Sequence, residues 1–339
     1  MNGFIKTALF PAVIVLRAWR RVMRHPLIVT RMLFSYDQRR FERYAGGFHP
    51  ESRSASLARI IMAYHVIEKG ITMPRRHLDF GHSAVLNLIS LVEDFERRFG
   101  AGEPQLKHAV GCVKEYLSIH KTEHFDMSKD RAYWGRVEGF CSAQVEVPCA
   151  CQIKVSRKDF FAHNEDPFPA FAASRRTSRH YEGVVELDRI RAAVALAMTA
   201  PSACNRQFVK VYCVSNHKMR DGILALQNGN RGFGSDADKL LIVAADLCGN
   251  RWAEERNDLF TNAGIFLMNL SYALHYNKIA HCILNWSVSP DRDLQMRTML
   301  RFPNTETVVA LVACGNAPET FEVAASPRKD IEDVFREIT

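Results

Sequence analysis

Apolar residues recur every three to four positions through most of the first half of the chain, and this spacing predicts helices. Between Glu51 and about Ala132, Leu57, Ile60, Ile61, Tyr64 and Ile67 mark one helix, with Gly70 as its natural stop. Val85, Leu88, Ile89, Val92 and Phe95 mark a second over His82–Phe99, and Leu106, Ala109, Val110, Val113, Tyr116 and Leu117 a third over Gln105–Ile119. Ala101-Gly102-Glu103-Pro104 is the turn between the last two. The pattern predicts an antiparallel helical module that packs on, or helps cover, whatever the second half does. Asp126–Asp166 lacks a sustained period; Val145–Val147 and Gln152–Val155 read as short strands broken by Pro148. Asp166-Pro167-Phe168-Pro169 can continue neither helix nor strand and is the expected domain boundary.

Beyond that boundary helices alternate with apolar strands. Glu186–Thr199, Met219–Leu226, Asp258–Tyr276 and Pro290–Leu300 read as helices, and Val209–Ser215, Lys239–Asp246, Ile279–Trp286 and Thr307–Cys314 as strands. Ser326-Pro327-Arg328-Lys329 is the expected cap of a last helix, Asp330–Ile338. This alternation predicts a sheet covered on both faces, in an α/β or α+β arrangement. Asp258–Tyr276 is apolar nearly all round and must be buried on every side. Packing against its own copy across a twofold axis achieves this, so a homodimer is expected.

Charge is unevenly spread. Residues 1–44 hold Lys6, Arg17, Arg20, Arg21, Arg24, Arg31, Arg39, Arg40 and Arg43 against Asp37 and Glu42, so most of the net charge of +8 sits in this arm. The uncharged run Thr7–Leu16 has half the length a membrane-spanning helix needs. Its flanking charges mostly follow it, with no small-residue cleavage site, unlike a signal peptide. Val13, Leu16, Trp19, Val22 and Met23 beside the arginines fit a helix resting on an anionic membrane surface, or one packed on the chain's own body with its arginines in water. The rest of the chain is nearly neutral and lacks interleaved basic and aromatic residues, so no nucleic-acid partner is expected.

The nine cysteines are an odd number, and Cys213, Cys248, Cys282 and Cys314 stand in apolar runs, as reduced core thiols of a cytoplasmic protein would. Cys141, Cys149 and Cys151, with His120 and His124 four apart, are the nearest approach to a zinc set. No Cys-x-x-Cys pair supports them, and no metal site is expected. His65 and Glu68, three apart on the first helix, read as a helix-surface hydrogen bond, with Lys69 near the helix C-terminus.

The chemistry concentrates in two motifs. Ser174-Arg175-Arg176-Thr177-Ser178-Arg179-His180-Tyr181 places Arg175 and Arg179 four apart, on one face if the segment is helical, where two guanidinium forks can grip one phosphate. Thr177 or Ser178 adds a hydroxyl donor. Ala200-Pro201-Ser202-Ala203-Cys204-Asn205-Arg206-Gln207-Phe208 turns into a strand and presents the amides of Asn205 and Gln207, able to bond the edge of a flat polar ring, with Ser202 as a cap of the turn. No Gly-rich dinucleotide fingerprint or Walker loop is present.

These two motifs, the Gly264-Ile265-Phe266-Leu267-Met268-Asn269-Leu270 stretch and the closing Ser326-Pro327-Arg328-Lys329 run in the order and spacing of the nitroreductase family, which residues 166–339 resemble. The resemblance implies an α+β fold, a sheet sandwiched by helices, preceded here by an all-helical module (45–165) and the basic arm (1–44). It implies FMN held by Arg175, Arg176, Thr177 and Arg179, by Asn205 at the ring, and by Arg328, or alternatively Lys329, closing on the phosphate. Gln207 joins Asn205 as a candidate, and Asn285 is placed by position in the Ile283–Trp286 segment that brings a backbone amide to the flavin. It also implies a homodimer with the flavin at the subunit interface, and hydride transfer from NADH or NADPH to a small organic acceptor by a ping-pong route. No side-chain acid or base is obligatory for this, so no catalytic residue is assigned.

The sequence departs from the family pattern. Gln207-Phe208-Val209 stands for the usual Gln-Pro-Trp, and Met268 for a glutamine of the central helix. Phe208 and Met268 are therefore expected to shape the pocket above the ring. The helical first half, with Tyr64-His65-Val66-Ile67-Glu68-Lys69-Gly70, resembles nitroreductase-like proteins found with bacterial polysaccharide biosynthesis. The departures keep a second reading open, a non-catalytic flavin-fold scaffold held by the basic arm at the inner face of the membrane.

Overall fold

The structure, a computed structural model, describes residues 25–144 and 150–338. The apolar run Thr7–Leu16, the basic stretch through Arg24, Val145–Val147, Pro148 and Cys149 lie outside the described residues.

Helix α1 (Pro26–Tyr44) buries none of its residues and is tied to the body by Asp37, which takes the Arg256 guanidinium at 2.5 and 2.9 Å. The helical unit follows: α2 (Arg53–Ile71), α3 (His82–Phe99), α4 (Pro104–Thr122) and α5 (Arg131–Ala143). Ser52 caps α2 through the Ala55 N–H. The residues that set the helical period form one core, with Ile60, Ile67, Leu88, Val92, Val113 and Tyr116 all but inaccessible. Helix α5 adds Trp134 and Val137 to that core, in a stretch whose sequence shows no sustained period. Helix α2 also runs through Gly70 to Ile71 rather than stopping there. Gly70 is required by close approach, since a Cβ at this position would fall inside the Phe80 ring.

The second unit is built on a four-stranded antiparallel sheet in the order β2 (Val209–Val214), β3 (Lys239–Asp246), β5 (Glu306–Gly315), β4 (Ala280–Asn285). Alternate residues of its central strands feed opposite cores. Leu240, Ile242 and Leu311 pack towards α8 (His217–Leu226) and α10 (Pro290–Leu300). Leu241, Val243 and Val312 pack towards α7 (Leu187–Ala197) and α9 (Asp258–Tyr276). The result is the expected α+β sheet between helical layers.

Several expectations are corrected. The packing break falls earlier than Asp166: β1 (Gln152–Ser156) pairs antiparallel with β6 (Thr320–Ala324), and Phe160 and Phe161 belong to the core of the sheet unit. The Pro167–Pro169 stretch instead starts a short helix, α6 (Phe168–Ser174). The last helix does not form; only a single turn at Ile331–Asp333 is present, and Val334, Phe335 and Ile338 are exposed. Cys282 and Cys314 are buried core thiols, but Cys213 and Cys248 are exposed. Helix α9 is buried on one side only and leaves Phe260, Ile265 and Met268 uncovered in the single chain.

Candidate functional site

The arginine motif is not helical. Helix α6 ends at Ser174, and Arg175 begins an extended run that lies along β4, with the Ser178 N–H donating to His281 O at 3.1 Å. Extended backbone sends every second side chain the same way, so Arg175, Thr177 and Arg179 share a side. Tyr181 anchors the end of the run: its hydroxyl donates to Ser178 O at 2.8 Å, and its ring packs where a Cβ on Gly315 would come within 2.8 Å of it.

These residues line a cavity of about 930 Å³. Arg175, Arg176, Thr177 and Arg179 form one wall, Arg328 with Ser326 and Ala325 of the C-terminal segment another, and Tyr64, His65 and Glu68 of α2 a third. Tyr272 and Met268 of α9 and Cys282 and Ile283 of β4 complete it. Four guanidinium groups therefore face one carboxylate, Glu68, among the described lining residues.

That carboxylate does not neutralise the arginines, because it is already engaged. Glu68 is wholly buried and meets His108 Nε2 at 2.6 Å, His65 Nδ1 at 3.0 Å and the Ser326 N–H at 3.1 Å. Burial works against its charge, but the hydrogen bonds from His108 and His65 outweigh it and hold the carboxyl down at about 2. Arg176 donates to Ala325 O at 3.3 Å and Arg328 to Ser326 O at 2.6 Å, so both spend donors on the neutral backbone of the C-terminal segment. Burial and the neighbouring Arg328 press Arg175 towards losing its charge, and burial with Arg179 does the same to nearby Lys69. Arg179 is buried, lies over the Phe233 ring at 5.9 Å, and its Nε has no hydrogen-bond partner among the described residues. A buried cation with an unsatisfied donor, crowded by like charges, is a receptor for an anion. The donor set fits the phosphate of FMN, and the cavity volume lies in the range of cofactor sites.

The ring-binding candidates are elsewhere. Asn205 and Gln207 are exposed and do not line the cavity. Their turn is held by the Gln207 N–H on Ser202 Oγ at 3.1 Å and by Arg206 on Glu255 at 2.8 Å, so Ser202 does cap it. Cys204, Asn205 and Gln207 all have φ between +51° and +55°, a left-handed run that is rare without glycine. Asn285 is exposed, accepts the Ser287 N–H at 3.0 Å, and stands outside the cavity, as does exposed Lys329. Phe208 is buried against Ala245, Leu259 and Ala263 and does not line this cavity, whereas Met268 does.

The His65/Glu68 pair is hydrogen-bonded as its spacing suggests, but it is part of the cavity wall rather than a helix surface. The sequence offered only that spacing and the apolar residues around it. Among the described residues His120 and Cys141 join no metal-ligand cluster: His120 Nδ1 meets Tyr116 O and its Nε2 accepts the Asp79 N–H.

The fold and cavity thus define an α+β protein with an arginine-lined cavity. Solved structures similar to about half of this chain are nitroreductases. A nitroreductase family protein from Streptococcus pneumoniae aligns at 19% identity over 51% of this chain and 100% of its own, with a TM-score of 0.44. A protein described as a nitroreductase in complex with FMN, from Desulfovibrio desulfuricans, aligns at 18% over 52% and 98%, with a TM-score of 0.45. An FMN-dependent nitroreductase from Clostridium difficile aligns at 19% over 48% and 92%, with a TM-score of 0.39. No family model matches the chain, and no curated protein matches it.

Proposed function

We propose that the protein is an FMN-dependent oxidoreductase that works as a homodimer. The observation that carries this is the cluster of Arg175, Arg176, Arg179 and Arg328 around one cavity, with Arg179 buried and its Nε unsatisfied among the described residues. Arg175 and Arg179 would hold the phosphate, Arg328 would close on it from the C-terminal segment, and Thr177 would add a neutral donor. Met268 and Tyr272 would pack an apolar wall against the ring and keep water from it. FMN, when bound, supplies the uptake of a hydride from NADH or NADPH and its delivery to a small organic acceptor.

The amides of Asn205 and Gln207 would reach the flavin of a second copy. Their exposed, left-handed turn and the uncovered apolar residues of α9 support this arrangement. The Tyr64–Gly70 segment, through its resemblance, favours an acceptor from polysaccharide biosynthesis. A scaffold without catalysis is the second reading, favoured by the absence of both amides from the single-chain cavity.

The test is the absorbance spectrum of the purified protein with added FMN, followed by anaerobic NADH or NADPH. Bound flavin that bleaches with either donor supports the enzyme. Bound flavin that stays oxidised with both supports the scaffold, and no flavin binding at all refutes the enzyme.

A further inference from the structure

A second cluster of chemistry-bearing groups lies inside the helical unit, on the far side of Glu68 from the cavity. His108 and Cys112 are four apart on α4 and so share a face. Cys151, the residue before β1, completes a trio whose ligand atoms all lie within 4.8 Å of one another. Each member is at least 95% buried, at 5%, 0% and 0% exposure. The two sulfurs are 2.9 Å apart, too far for a disulfide bond at about 2.05 Å.

The surroundings hold these atoms in place. Glu115 Oε2 accepts the Cys151 N–H at 2.6 Å, and Cys151 O accepts the Ala325 N–H at 2.9 Å, so the sulfur is carried on backbone fixed from both sides. The His108 ring meets the buried Glu68 carboxylate through Nε2 at 2.6 Å and stands edge-on to Tyr64 with ring centroids 4.8 Å apart. A carboxylate bonded to one nitrogen of an imidazole, as Glu68 is to His108, is the usual outer shell of a zinc-bound histidine.

We propose that His108, Cys112 and Cys151 bind one zinc ion, through Nδ1 of the histidine and the two sulfurs. Two thiolates and an imidazole are the ligand chemistry zinc prefers. Zn–S bonds of about 2.3 Å in tetrahedral geometry set the sulfurs about 3.8 Å apart, so the pair opens by less than about 1 Å to admit the ion. Binding displaces one proton from each thiol; no electron moves. The ion joins α4 to the start of β1, and through Glu68 it fixes the C-terminal segment that carries Arg328. The site lies apart from the arginine-lined cavity.

The test is the zinc content of the full-length protein, purified from zinc-supplemented medium and dialysed into metal-free buffer, with flavin content read separately. About one zinc per chain is expected. Cys112→Ser and Cys151→Ser should each lower retention at least about tenfold, and Glu68→Gln should weaken zinc binding by about 10- to 100-fold. Cys141→Ser, outside the trio, should retain the ion. Cobalt exchanged into the wild-type site should show a thiolate charge-transfer band, a readout independent of whether any variant folds. Folded wild-type protein that holds no zinc would overturn the proposal. So would zinc retained equally by the Cys112 and Cys151 variants, or a mass lower by two hydrogens with Cys112 and Cys151 joined as a disulfide.

Discussion

Glu68 accepts the backbone N–H of Ser326 at 3.1 Å and its hydroxyl at 3.3 Å, joining the second helix of the chain to a segment 258 residues further on. Ser326 is itself left-handed, at φ 45°, a conformation a serine keeps only when its surroundings hold it. The position of Arg328, two residues later, therefore depends on a carboxylate in the helical unit. The unit that carries no arginine of the anion site nevertheless sets the shape of that site.

Glu68→Ala and Arg328→Ala should separate these two roles. Removing Glu68 leaves His108 and the Ser326 N–H without their common acceptor in a dry interior, which costs about 3–5 kcal/mol when a buried charge network is broken. Thermal stability and FMN affinity should fall together. Arg328 is exposed and its side chain donates to Ser326 O, so Arg328→Ala should weaken FMN by about 10-fold or more while leaving the melting temperature nearly unchanged. A Glu68→Ala protein that melts like the wild type would show that the network does not hold the two units together.

The anion site makes a claim about charge. Arg175→Ala should lower FMN affinity by about 10- to 100-fold, since a charge-assisted hydrogen bond is worth about 1.5–3 kcal/mol. Arg179→Lys, which keeps the charge but loses the fork and Nε, should fall between that variant and the wild type. Lys329→Ala, outside the cavity, should bind as the wild type does. Fluorescence titration of FMN would check all three, and equal losses from Lys329→Ala and Arg175→Ala would count against the assignment.

The fold was legible where period and burial agree. Lys239–Asp246 reads as a buried strand and is one, because a central strand covered on both faces has no reason to alternate. The site was half legible. Arg175, Arg176, Thr177, Arg179 and Arg328 do meet in one cavity, but no periodicity could place Glu68 and His65 beside them, since that contact spans units distant in sequence. The arginine run would share one face only if it were helical, and it is extended; Pro167 and Pro169 start a short helix before it that ends at Ser174. The expected last helix failed because Ile331, Val334, Phe335 and Ile338 are exposed and find nothing among the described residues to pack against. A short amphipathic segment gains little helical stability without such packing.

The proposed dimer through α9 predicts the effect of charge on its open face. Phe260 is 54% and Ile265 42% exposed. Introducing Phe260→Lys with Ile265→Glu should shift the protein from dimer to monomer in light scattering. FMN retention should fall with it, because Asn205 and Gln207 then reach no second cavity. The far-ultraviolet circular dichroism should be kept, as neither residue is part of a core. A double variant that remains dimeric would move the interface elsewhere.

Gly70 tests the packing of the helical unit. Its hydrogen is the only substituent that fits beside Phe80, whose backbone O also accepts the Tyr116 hydroxyl at 2.8 Å. Gly70→Ala should destabilise by about 1–3 kcal/mol through overpacking, despite alanine's better helix propensity. Combining it with Phe80→Ala should cost less than the sum of the two single changes. Additive losses in denaturant titrations would place the strain elsewhere.

Two buried histidines give the stability a pH dependence of definite sign. His281 lies between Ser271 Oγ at 2.8 Å and Ile279 O at 3.1 Å, and burial lowers its pKa to about 4, opposed by the Ile279 carbonyl and helped by Arg175. His275 is lowered to about 3 by burial, His281 and Arg175, and its Nδ1 has no hydrogen-bond partner among the described residues. Both are neutral in the folded chain, while in the unfolded chain they take up protons below about 6.5. Above that pH neither state binds these protons and stability is flat. Between about 6.5 and 4 the unfolded state binds more protons, so stability falls as pH drops, by up to about 1.4 kcal/mol per pH unit for each histidine. Urea midpoints should therefore decline from pH 7 to pH 5. His281→Asn, which cannot titrate, should lose part of that slope whatever its own stability. A midpoint unchanged across this range, or a slope untouched in His281→Asn, would mean that these histidines are not held neutral by the fold.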